Sequence, residues 1–113
     1  MGILSKVRKI VKPSYLEVKM KQARERVNQL LAAGQDIKIE VGAGDKAVSN
    51  GWSTIDMTEN CDIYWDLRNG IPFPDGSVTM IYSSHFMEHL SFNEGQRFLE
   101  ECLRVLKKDG IFS

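Results

Sequence analysis

A hydrophobic run, Ile37-Lys38-Ile39-Glu40-Val41, passes directly into Gly42-Ala43-Gly44-Asp45, and no other segment constrains the fold as much. Apolar residues alternating over five positions are a strand signal, and two glycines at the end of a strand let the backbone turn sharply and approach a ligand closely. In open α/β sheets that place, beyond the carboxyl end of a strand, is where ligands bind. A plain tight turn uses Gly-x-Gly equally well, so the glycines alone leave both readings open. Further short runs predict strands at Lys38 to Val41, Ser53 to Met57, Asp62 to Trp65 and Val78 to Ser83, with Gly110-Ile111-Phe112 beginning a fifth. They are separated by glycine, proline and aspartate, which mark turns. Between the last two lies a helical pattern in which Phe98, Leu99, Cys102, Val105 and Leu106 share a face. Asn93 suits its N-cap, and Lys107 and Lys108 suit its C-terminus. The alternation of strand and helix predicts an α/β domain with an open, mostly parallel sheet.

The 36 residues before this region have a different character. They carry eight bases against three acids, a net +5, whereas the remainder carries seven against twelve, a net −5, so the overall zero hides an asymmetry. Pro13 divides this leader, because proline lacks a helix donor and biases Lys12 away from helical geometry. After Pro13-Ser14, the apolar residues Leu16, Met20, Ala23, Val27, Leu30 and Leu31 recur at helical spacing up to Gly34 and predict a helix that packs on the main domain. The chain thus divides into a basic helical extension, 1–36, and an α/β domain, 37–113. A basic leader on an acidic domain suits peripheral contact with an anionic membrane surface, or simply a solvated helix face. Apolar runs fall far short of the roughly 20 residues a bilayer span needs, so a cytoplasmic location is expected. Cys61 and Cys102 lack CxxC spacing and give no support to a disulfide or metal site.

Acidic residues decide what the glycine turn can hold. Asp56 closes the predicted second strand in Ser53-Thr54-Ile55-Asp56. Its two carboxylate oxygens can accept both hydroxyls of an adenosine ribose lying over the same crevice. Asp66 ends the third strand in Tyr64-Trp65-Asp66-Leu67 and suits an adenine amino group, with a surface turn acid as the other reading. The string Gly42-x-Gly44-x-x-Ala47 also fits a dinucleotide fingerprint, which would make the chain an NAD-binding oxidoreductase. Two features oppose that reading. The stretch Asp45 to Gly51 leaves little room for the long helix that holds a pyrophosphate. Asp56 also follows Gly42 by only 14 residues, short of the roughly 20 of that fingerprint.

Taken together, Glu40-x-Gly42-x-Gly44, Gly51-Trp52-x-x-Ile55-Asp56, Asp66-Leu67, Ile71-Pro72-Phe73-Pro74-Asp75-Gly76-Ser77, Ser84-His85-x-x-Glu88-His89-Leu90 and Arg104 through Gly110 resemble the class I S-adenosylmethionine-dependent methyltransferases. The likeness covers residues 37–113 and is greatest to small methyltransferases linked with cell-surface glycan pathways. It implies a Rossmann-like sheet, here stopping after four to five strands, with S-adenosylmethionine as cofactor. Glu40, Gly42 and Gly44 would then surround the methionine moiety, Asp56 the ribose, and Asp66 with Leu67 the adenine. His85 would sit near the methyl-transfer end as the candidate catalytic residue; for a hydroxyl acceptor His85 or His89 could take the proton, with a packed or helix-terminal histidine as the other reading, preferred for His89. Thr79 stands where the family usually has aspartate, and Lys108-Asp109 where it usually has Pro-Gly.

The resemblance implies methyl transfer to a glycan or small-molecule acceptor, with no specific nucleic acid partner. Such chemistry asks the protein mainly for orientation and exclusion of water, with a histidine near neutrality available to take a hydroxyl proton. His85-x-x-Glu88-His89 lacks the spacing and third ligand of a zinc site, so no metal is expected. A sheet ending at a normally central strand exposes an edge, so self-association or a partner that completes the sheet is expected. That same feature supports the alternative of a non-catalytic S-adenosylmethionine-binding or interaction module.

Overall fold

The computed structural model describes residues 14–44, 50–83 and 86–113. Helix α1, Tyr15–Ala32, leads into strands β1 (Lys38–Val41), β2 (Trp52–Asp56) and β3 (Ile63–Tyr64). A 3-10 turn at Leu67–Asn69, strand β4 (Val78–Ser83), a second 3-10 turn at Met87–His89, helix α2 (Phe92–Val105) and strand β5 (Leu106–Phe112) complete the order. All five strands are parallel, in the sheet order β3-β2-β1-β4-β5. This is the expected Rossmann-like α/β arrangement: the chain steps outward from β1 to β2 and β3, then crosses back to place β4 and β5 on the other side. The strand carrying the glycine turn is therefore the central one, at the point where the strand order reverses.

The register explains which residues hold the sheet. Ile39 and Val41 on β1 stand beside Ile55 on β2 and Ile81 on β4, and all four side chains are essentially inaccessible to solvent. Phe98, Cys102 and Val105 of α2, Ala23 and Val27 of α1, and Ile71 and Phe73 of the connection between β3 and β4 join the same core. On the opposite face, Trp52 lies edge-on to Tyr82 with ring centroids 6.5 Å apart, and the Lys38 ammonium sits 5.7 Å from the Trp52 ring. This aromatic and cationic cluster links three adjacent strands.

Helix α1 begins at Ser14, whose hydroxyl accepts from the Glu17 N–H, as the Pro13-Ser14 boundary predicted. It packs against β3 and the loop before it. Arg26 Nε donates to both Asp62 oxygens at 3.0 and 2.9 Å, Lys19 pairs with Glu59 at 3.7 Å, and the Arg24 guanidinium lies 5.7 Å from the Trp65 ring. Three of the four bases on α1 thus face the domain, and no helix among the described residues is long and apolar enough to cross a membrane.

Two boundaries differ from expectation. Helix α2 is capped by Ser91, not Asn93: the Ser91 hydroxyl accepts from the Glu94 N–H, and the Glu94 carboxylate accepts from the Ser91 N–H. The S-x-x-E spacing of such a reciprocal cap is present in the sequence, and two satisfied N–H groups outweigh one. β5 starts at Leu106 rather than Gly110, so Lys107 and Lys108 lie in a strand instead of ending a helix. Pairing of Leu106 with Val78, and of Ile111 and Phe112 with Met80 and Ile81 across a bulge, recruits these residues to the sheet. Lysines on an edge strand also discourage pairing with other chains, whereas Ile111, Phe112 and Leu103 remain exposed beside it.

Both cysteines are free thiols. Burial, reinforced by neighbouring Glu101, pushes the Cys102 thiol up to about 12, so it stays protonated and unreactive at neutral pH. Cys61 is only half-buried. Iodoacetamide at neutral pH should therefore modify Cys61 in the native protein and Cys102 only after unfolding, as peptide mass spectrometry would show. Equal native labelling of both would contradict the packing of α2.

Candidate functional site

Where β1 ends, the chain stays tied to β2 and then turns. The Gly42 N–H donates to the Ile55 carbonyl at 2.9 Å, and both Gly42 and Gly44 adopt left-handed geometry, with φ of +65° and +66°. Side-chain-bearing residues adopt this geometry only at a cost, which is the physical reason for the Gly-x-Gly pattern. A β-carbon on Gly42 would lie 2.5 Å from three atoms of the Phe86 side chain, whereas one on Gly44 would meet nothing within 4 Å. Phe86 in turn packs edge-on to Phe98 of α2, with centroids 5.0 Å apart. The turn is therefore clamped on one side by the segment after β4 and open on the other.

Asp56 ties this turn to the end of β2. Its Oδ2 accepts from the Gly44 N–H at 2.8 Å and its Oδ1 from the Met57 N–H at 2.7 Å. Thr58 closes the same loop by donating its hydroxyl to the Gly44 carbonyl at 2.6 Å. A carboxylate offers about four acceptor positions, and the two donors among the described residues leave one on each oxygen. Two adjacent acceptors on one rigid carboxylate match the two vicinal hydroxyls of a ribose. Beneath Asp56, the Cys61 thiol lies 3.1 Å from the Asp56 carbonyl and from that of Thr58, supporting the loop from below.

The third strand brings Asp66 alongside. Tyr64 pairs with Asp56, and the Trp65 N–H donates to the Asp56 carbonyl at 3.0 Å, so Asp66 follows immediately beyond the ladder. Asp66 caps the 3-10 turn and is gripped by Arg68: Oδ1 accepts from the Arg68 backbone N–H and Nε, both at 3.0 Å, and Oδ2 from Nη2 at 2.8 Å. The Arg68 guanidinium holds this carboxyl below the usual carboxylate range. Leu67 turns its side chain into the core, and Glu40 lies on β1 between Thr54 and Tyr82. His85 lies outside the described residues. His89 ends the second 3-10 turn, exposed, and the Ser83 hydroxyl at the end of β4 is buried without a hydrogen-bond partner among the described residues.

The structure thus gathers Gly42, Gly44, Asp56 and Asp66 at the carboxyl ends of three neighbouring strands. A family model described as a methyltransferase domain matches residues 10–113. The chain belongs to this class I methyltransferase family. Proteins of the family generally bind S-adenosylmethionine. No curated protein matches the chain.

In this domain the roles of four residues of the site region were not read from the sequence: Arg68, Phe86, Glu101 and Arg104, the last named only as the start of a family-like segment. Arg68 was readable as an Asp-x-Arg spacing and Glu101 with Arg104 as an i,i+3 helical pair, whereas the contacts of Phe86 with Gly42 and of Glu101 and Arg104 with Ile71, Phe73 and Asp75 span 29 to 44 positions of the chain. Arg104 is the most engaged. Its Nε donates to Glu101 Oε2 at 2.6 Å, Nη1 to the Phe73 carbonyl at 3.0 Å and Asp75 Oδ1 at 2.8 Å, and Nη2 to the Ile71 carbonyl at 2.8 Å and Glu101 Oε1 at 3.0 Å. All five N–H donors of the guanidinium are used. Glu101 Oε1 also accepts from the Ile71 N–H at 2.9 Å. The family-like segment Ile71 to Ser77 is thereby fastened to α2, and with it the exit of the turn that carries Asp66. Thr79, at the position where aspartate is usual, donates its hydroxyl to Asp36 at 3.3 Å, a contact within the scaffold.

Proposed function

We propose that this domain binds S-adenosylmethionine at the carboxyl ends of β1, β2 and β3 and transfers its methyl group to a hydroxyl of a small-molecule or glycan acceptor. The observation that carries the reading is Asp56: its carboxylate ties the glycine turn to the end of β2 through the Gly44 N–H, accepts also from the Met57 N–H beside it, and among the described residues keeps one acceptor on each oxygen for a ribose. Gly42 and Gly44 would border the methionine moiety, with Glu40 behind them, and Asp66 and the Leu67 backbone would face the adenine. The cofactor supplies a methyl group on an already activated sulfonium. The protein's part is to orient it against the acceptor and exclude water. His85, directly after β4, is the proposed acceptor of the hydroxyl proton.

Calorimetric titration with S-adenosylhomocysteine and with NAD tests the reading. S-adenosylhomocysteine should bind and NAD should not; the reverse would sink it. Asp56→Ala removes two charge-assisted hydrogen bonds worth ~1.5 to 3 kcal/mol each, so S-adenosylhomocysteine affinity should drop by at least about tenfold. Because Asp56 also anchors Gly44, thermal unfolding of the ligand-free variant separates lost binding from lost stability. Unchanged affinity would show that the ribose lies elsewhere. A methyl-donor assay on hydroxyl-bearing small molecules and glycans then asks whether binding leads to transfer.

A further inference from the structure

Asp66 is not a free carboxylate waiting for a ligand. Three of its roughly four acceptor positions are filled by one residue, Arg68: two on Oδ1 by the backbone N–H and Nε, one on Oδ2 by Nη2. The single position left among the described residues is the second lone pair of Oδ2. Arg68 is itself substantially exposed, with 60% of its side-chain surface accessible against 26% for Asp66. It contributes little to the core, and Asp66 would still cap the turn through the Arg68 backbone N–H if the guanidinium were gone. An exposed arginine folded back across two residues onto its own capping acid fixes the direction and ionisation of that acid.

We infer that Arg68 is a specificity-determining residue: by occupying three acceptor positions of Asp66 it leaves one fixed, acceptor-only oxygen that favours a purine bearing a 6-amino donor over one bearing a 6-oxo acceptor. The inference rests on the cofactor reading above and deepens it. A carboxylate pinned by a two-pronged guanidinium cannot rotate to offer another face, and while ionised it has no proton to donate to a carbonyl oxygen. A site built to receive an N–H rejects the analogue that lacks it, because the acceptor, once covered by the base, is left unpaired or opposed.

Among the described residues, Arg68 is faced from α2 by Glu94, which Arg97 also neighbours, Glu101 of α2 lies against Gly70 at the end of the turn, where Arg104 engages it, and Arg24 of α1 lies over the adjacent Trp65 ring. Glu94 is engaged by Ser91 in the helix cap. The carboxyl of Asp66 is held down chiefly by the Arg68 side chain, so removing that side chain lets it rise. Since the ionised form is the acceptor, the acid-side loss of binding should then begin at higher pH.

The test is calorimetric titration of the wild-type chain, Arg68→Ala and Arg68→Lys with S-adenosylhomocysteine and its 6-oxo counterpart, S-inosylhomocysteine, from neutral pH down to below the ordinary aspartate value of about 3.9. Wild type should prefer the amino form by about tenfold or more. Arg68→Ala should lose most of that preference and release S-adenosylhomocysteine at a higher pH than wild type. Arg68→Lys, which keeps the charge without the fork, should restore the pH profile better than the preference. Full retention of both by Arg68→Ala would overturn the inference while leaving the cofactor reading intact. Failure of the wild-type chain to bind either compound would overturn the cofactor reading and this inference with it.

Discussion

Arg104→Ala should lower unfolding stability by about 3 kcal/mol, discounted from the sum of its contacts because the guanidinium is partly exposed. In a domain whose whole margin is of order 5 to 15 kcal/mol, that is a large fraction, equivalent to a fall in Tm of more than ~10 °C for a chain of this size. The cause is specific. Without the guanidinium, the Ile71 and Phe73 carbonyls lose their donor and Glu101 is left half-buried with its charge uncompensated. Arg104→Lys should recover only a minor part, since an ammonium cannot serve Glu101, Asp75 and two carbonyls from one plane.

The pH dependence carries the sign of a depressed carboxyl. Arg104, by its hydrogen bonds, holds Glu101 below the ordinary glutamate value. Stability from the pair is therefore fully present above the unfolded-state value, about 4.3, and is lost as pH falls through the lower folded value. Wild type and Arg104→Ala should differ most near neutrality, and the gap should narrow in acid to the part owed to the Ile71 and Phe73 carbonyls. Thermal or urea unfolding across that range measures this, and a constant gap down to strongly acidic pH would show that the pair is not the source.

Gly42→Ala is expected to have the second large effect, and Gly44→Ala is its control. Both positions have positive φ, so any side chain costs roughly 1 to 2 kcal/mol at either. Only at Gly42 would the new β-carbon also strike the Phe86 side chain at 2.5 Å, including its Cβ, which cannot swing aside. Phe86 is held behind by Phe98. Relieving the clash must move the segment after β4 or the turn itself, adding a further 1 to 3 kcal/mol or so of overpacking. Gly42→Ala should thus lose about 2 to 5 kcal/mol of stability and most of its affinity for S-adenosylhomocysteine, with Gly44→Ala much milder in both. Equal losses at the two glycines would mean that backbone geometry alone, and not the Phe86 clamp, sets their identity.

Much of the sheet was legible because burial of one face imposes alternation on the residues themselves. Lys38–Val41 and Val78–Ser83 stand where their apolar patterns put them, and the neighbouring strands differ by one or two residues at their ends. The helix after Pro13-Ser14 was legible for a similar reason: its cap, its apolar spacing and its stop at Gly34 are all local signals. β5 was not, because Lys107, Lys108 and Asp109 carry no strand pattern of their own. They are extended because Val78, Met80 and Ile81 on β4 offer a ladder to join. Local propensity yields to such pairing when hydrogen bonds across the sheet replace those of a further helical turn.

The same division runs through the site. The chain's own order of residues determined that a glycine turn follows a strand and that acids close the next two, because turn geometry and strand period are properties of short segments. Which groups those acids face was decided only by the tertiary structure. Asp56 meets Gly44 because β1 and β2 lie side by side, Phe86 closes on Gly42 because β4 is the other neighbour of β1, and Arg104 reaches Ile71, Phe73 and Asp75 because α2 folds back over that loop. Hydrogen bonds of about 3 Å need positions set by packing, and packing brings together residues that sequence separates.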